Sequence, residues 1–136
     1  MKRWIGFRLP GRHCRGTYDV YENQPPVDCS EYQNVSLDNL RCLEECASPT
    51  SCYVERDGDV FYRDQQDCVV WSLRDGQVYA NDDMLVADSL AEFCARMILE
   101  SKIWFAAFMP NRYAMAEDPP GMLAYVQALK GNNEAS

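Results

Sequence analysis

The chain has 136 residues, a length that one domain fills and that leaves room for a hydrophobic core without cross-links. Its 47% hydrophobic and 25% charged residues match ordinary globular usage and exclude a collagen-like or wholly disordered chain. The net charge of −8 is uneven: Lys2, Arg3, Arg8, Arg12 and Arg15 give the first fifteen residues +5 and leave −13 for residues 16–136, a field that repels phosphates and attracts basic partners.

A single domain over residues 1–136 is therefore expected, with 131–136 as a frayed tail. The longest apolar-rich piece, Ile103 to Met109, is too short to span a bilayer. The basic start lacks the apolar run and cleavage site of a secretory signal, so the expectation is a cytoplasmic protein with no membrane partner.

In chain order, Leu9-Pro10-Gly11 breaks the opening segment. Arg12 to Glu22 suits a short helix or a strand, since Tyr18, Val20 and Tyr21 fit either, and helix is the favoured expectation. Asn23-Gln24-Pro25-Pro26 forces a loop. From Ser36, with its side chain placed as N-cap, Leu37, Leu40, Leu43 and Cys46 recur at helical spacing until Ser48-Pro49-Thr50 stops them.

Cys52-Tyr53-Val54 and Val60-Phe61-Tyr62 flank the turn Asp57-Gly58-Asp59 and predict a hairpin. Asp64 to Asp67 reverses the chain into Cys68–Leu73, and Arg74-Asp75-Gly76 reverses it again into Gln77-Val78-Tyr79, which makes an antiparallel meander. Ser89 and Glu92 then form a capping box, and Leu90, Phe93, Cys94, Met97, Ile98 and Phe105 mark the inward stripe of a long helix. After Asp118-Pro119-Pro120, a last helix is expected with Met122, Leu123, Val126 and Leu129 on one side and Gly131 closing it. The fold class that follows is α+β, a mainly antiparallel meander flanked by N-terminal and C-terminal helices.

Seven cysteines, an odd number without an export signal, read as reduced thiols, with Cys68 and Cys94 as packing residues. Cys42, Cys46 and Cys52 lack a second closely spaced pair and make a poor zinc set, and the single histidine, His13, adjoins Cys14 with no third orienting group. Carboxylate pairs, Glu44-Glu45, Asp57 with Asp59, Asp64 with Asp67 and Asp82-Asp83, sit on turns and helix faces open to water, where turn chemistry accounts for them better than acid–base catalysis. Neither a Gly-rich dinucleotide fingerprint nor a Walker-type lysine loop is present, and basic residues meet aromatics only near Arg3-Trp4 and Phe7-Arg8. The expectation is a protein that is not an enzyme, uses no cofactor and binds no nucleic acid.

The run VFYRDQQDCVVWSL from Val60 to Leu73, then Val78-Tyr79, an acidic gap and DSLAEFCARMILE from Asp88, resembles the SUKH superfamily over about a third of the chain. Asp64, Gln65 and Gln66 match that family's polar turn, Trp71 its strand tryptophan, and Ser89, Leu90, Glu92 and Phe93 its helix start. The resemblance implies an α+β fold and a bacterial immunity protein that neutralises a polymorphic toxin, often a nuclease, although the family also holds regulators and viral members. The acidic balance places the contact rim at Asp57, Asp59, Asp64, Gln65, Gln66, Asp67, Asp82 and Asp83, around buried aromatic anchors. Two other readings stay open: a small thiol or zinc protein built on the cysteines, and a regulatory module with a different protein partner.

Overall fold

The computed structural model describes residues 2–8, 16–22, 24–108 and 125, with the side chains of 106–108 left aside. It is an α+β fold: β1 (Trp4–Phe7) and β2 (Tyr18–Tyr21) form a two-stranded antiparallel sheet, and β3 (Tyr53–Asp57), β4 (Val60–Arg63), β5 (Val70–Arg74), β6 (Gln77–Ala80) and β7 (Met84–Ala87) form a five-stranded meander. Between the sheets lie a 3-10 turn, Ser30–Tyr32, and a short helix α1, Arg41–Glu45; after them comes α2, Leu90–Phe108. The meander and the capped helix follow the sequence reading, and α2 is the one long helix among the described residues.

Tyr18–Tyr21 is a strand, which corrects the expected helix there. Its register, Trp4↔Tyr21 through Phe7↔Tyr18, pairs it with a strand whose four residues are all buried, and that pairing overrides a sequence neutral between the two states. Gly6 in β1 has a steric reason: a Cβ there would collide with Glu100 Oε1 and Trp4 Nε1.

The helix expected from Ser36 starts only at Arg41, and Ser36 is not its cap. Asn39 N–H donates to the Ser36 carbonyl at 2.9 Å and Asp38 N–H donates to Ser36 Oγ at 3.3 Å, so Ser36 to Asn39 closes as a turn. Short polar side chains compete with the helix for backbone groups, and here they win the first turn. Leu40 and Leu43 still reach the core.

The meander turns carry their expected chemistry. Asp75 and Gly76 both take positive φ, 52° and 80°, the two-residue type I′ geometry that matches strand twist, and Gly58 opens the β3–β4 turn at φ 61°. Asn81, at φ 57°, accepts from Val70 N–H through Oδ1 at 3.2 Å and so extends the ladder into the β6–β7 turn.

Ser89 Oγ accepts from Glu92 N–H at 3.1 Å, while Glu92 Oε1 accepts from Asp88 N–H at 2.8 Å, which closes the capping box one residue early. Below this cap, Phe93 is the hub of the core, with ring centroids 5.4 Å from Phe61, 5.7 Å from Trp71 and 5.8 Å from Trp4. Leu90, Cys94, Met97, Ile98 and Phe105 are buried as the stripe predicts, but Cys68 is exposed and packs nothing. The expected last helix lies outside the described residues except for Tyr125, which is helical and buried. Among the described residues no helix is long and apolar enough to cross a membrane.

Candidate partner-binding face

Strand alternation divides the meander into two faces. Trp71, Val78 and Ala80 turn toward α2 and the core, whereas Val60, Ser72 and Tyr79 are aligned by the register Val60↔Ser72 and Ser72↔Tyr79 on the opposite face. That second face holds an open groove of about 490 Å³. Val60, Val70 and Ser72 line it, Arg74 crosses it, and Asp59, Asn81 and Asp82 complete its wall.

The eight residues expected at the contact rim divide by their local partners. Asp57 and Asp67 both reach Arg63, at 3.9 Å and 3.3 Å, and Glu55 joins them at 3.8 Å, so one guanidinium offsets much of their charge. Asp59, Asp82 and Asp83 are exposed and make no ion pair with a described residue. Gln65 and Gln66 are exposed in the β4–β5 turn.

Asp64 does not belong on the rim. It is only 2% exposed, accepting from Tyr18 Oη at 2.6 Å, from Gln66 N–H at 2.6 Å and from Cys68 N–H at 3.3 Å. Burial opposes its ionisation, but the Tyr18 hydroxyl and the two backbone donors prevail and hold its carboxyl below the ordinary value. Tyr18 also meets Thr50 at 2.7 Å, so this carboxylate ties β2, the segment before β3 and the β4–β5 turn together. The carboxylate pairing of Asp64 with Asp67 is thus one buried and one exposed group.

Arg74 is held in place rather than free in solvent. Its guanidinium lies over the Tyr79 ring at 4.1 Å and donates through Nη2 to the Asp82 carbonyl at 2.5 Å. In the sequence Ser72 and Asn81 carry no motif and Arg74 reads only as a turn residue; the signal for the face is the period-2 alternation of Val70, Ser72 and Arg74 against Trp71 and Leu73.

A second cluster is sealed inside. Arg96 and Glu100 on α2 are 1% and 0% exposed; Arg96 Nη1 donates to Tyr125 Oη at 3.1 Å, and Tyr125 Oη donates to Glu100 Oε2. Burial pushes the Glu100 carboxyl up to about 7, against the opposing pull of Trp4, Tyr125, Arg96 and the Phe7 backbone. Buried in the core, this cluster ties β1, α2 and Tyr125 together. Glu92, Arg96 and Glu100 at four-residue spacing were its trace in the sequence.

Of the thiols, Cys94 is pushed up by burial and by neighbouring Cys42, and Cys46 is pushed up by burial, the direction that disfavours thiolate chemistry. Among the described residues no group of three or more His, Cys, Asp or Glu is arranged to hold a metal ion.

No family model, curated protein or solved structure matches this chain. The site is therefore read from its own chemistry, an open groove on the sheet face whose two lining carboxylates, Asp59 and Asp82, make no ion pair with a described residue.

Proposed function

We propose that the chain is an immunity protein of SUKH type that binds and neutralises a cognate protein toxin, a basic nuclease or other nucleic-acid-modifying domain, by covering its active surface. It works in the cytoplasm, where such a toxin meets its target, and needs no cofactor and no turnover. The observation that carries this reading is the set of exposed Asp59, Asp82 and Asp83, which make no ion pair with a described residue, two of them lining an open groove on the sheet face away from α2. A surface that binds nucleic acid is basic, and an acidic face docks on it with fast, salt-sensitive association. The uneven charge of −13 over residues 16–136 adds long-range attraction of the same sign.

The test is co-expression of the chain with the product of the neighbouring gene. Co-purification of a basic toxin domain whose nuclease activity falls in the complex supports the proposal. A neighbour that encodes no toxin, together with capture of a non-toxin regulatory protein on the same face, replaces it with the regulatory-module reading.

A further inference from the structure

Resting on that reading of the chain as a protein-binding module, we infer that the groove seats an extended basic segment of the partner. One arginine or lysine side chain lies between the carboxylates of Asp59 and Asp82, and a main-chain carbonyl of the same segment faces Ser72 and Arg74.

The groove carries unspent polar groups of both kinds. Ser72 is only 7% exposed, lines the groove, and its hydroxyl makes no hydrogen bond to a described residue. Arg74 Nε is buried without an acceptor even though Nη2 is bound and the guanidinium is stacked on Tyr79. Arg74 Nε, a buried donor without an acceptor, costs free energy that a ligand oxygen recovers, and the unbonded Ser72 hydroxyl on the same groove can donate to that oxygen too, so the pair calls for a carbonyl. Asp59 and Asp82 call for a cation on the same occupant.

Val60 and Val70 supply apolar wall for the methylene stem of a long basic side chain. The volume of about 490 Å³ accommodates one such side chain with its flanking backbone. A phosphate would face two carboxylates, and an apolar helix would leave all four polar groups unmet. Arg74 adds one positive charge, but it is turned onto Tyr79 and the Asp82 carbonyl, and the carboxylates outnumber it.

The test is a titration of the full chain with N-acetyl-arginine N-methylamide, followed by backbone amide NMR shifts, beside the uncharged citrulline counterpart of the same shape. Saturable shifts at Asp59, Ser72, Arg74 and Asp82 are expected, weakened about tenfold with citrulline and in Asp59→Asn/Asp82→Asn, and unchanged in Asp57→Asn/Asp67→Asn. Equal response to citrulline, shifts confined to another face, or no effect of Asp59→Asn/Asp82→Asn would overturn it. A toxin bound equally well by Asp59→Asn/Asp82→Asn sinks the groove and spares the proposed function; an arginine seated in the groove of a chain with no toxin partner does the reverse.

Discussion

Asp64 and Glu100 are buried carboxylates whose surroundings set measurable pH behaviour, and they act in opposite directions. Asp64 has a lowered folded value, so its contribution is present above the ordinary carboxyl range and is lost as pH falls through that lowered value. Asp64→Asn loses the charge-assisted bond from Tyr18, and denaturant unfolding at neutral pH should show a loss of about 1–3 kcal/mol with a flatter acid limb. Glu100 has a folded value raised from 4.5 to about 7, so its contribution is full below 4.5 and is lost as pH rises through about 7. Glu100→Gln keeps a group able to accept from Tyr125 and removes the titration, so stability measured between those pH values should lose its downward slope. No local pattern separates Asp64 from Asp67 or Glu100 from Glu92, because burial and the Tyr18 and Tyr125 partners come from segments distant along the chain.

At the level of elements, local chemistry predicts well wherever a turn or cap is decided by its own residues. Asp75-Gly76 and the Ser89/Glu92 box are such cases, and each carries an expected cost. Ser89→Ala should lower stability by about 1 kcal/mol in chemical denaturation, because Glu92 N–H loses its acceptor. Gly76→Val forces a β-branched residue to φ 80° and should both destabilise the protein and broaden the amide signals of the β5–β6 hairpin. Phe93→Ala, at the centre of four aromatic contacts, should cost about 3–5 kcal/mol. Where the deciding partner is remote, the reading fails: β1 reads as an unpatterned apolar run because all four residues are buried, β2 depends on β1, and β7 is a strand through its register with β6. The helix from Ser36 shrank for the converse reason, since Ser36, Asp38 and Asn39 satisfied their backbone groups locally before a helix could.

For the molecule as a whole, the acidic balance was legible from composition, but which carboxylates remain available was not. Arg63 draws Asp57, Asp67 and Glu55 to itself, and the fold buries Asp64, so of the acidic residues in the proposed rim Asp59, Asp82 and Asp83 are the exposed ones without an ion pair to a described residue, and Asp59 and Asp82 line the groove. The fold also brings Ser72 and Arg74 onto the same face, which no linear motif announces. The most direct measurement is the association rate of the chain with the proposed toxin partner at low and physiological ionic strength, for the wild type and for Asp59→Lys/Asp82→Lys/Asp83→Lys. The wild-type rate should fall steeply with salt, and the variant should be at least about tenfold slower at low salt with little salt dependence left. A variant that associates as fast as the wild type, with the same response to salt, would contradict the proposed docking.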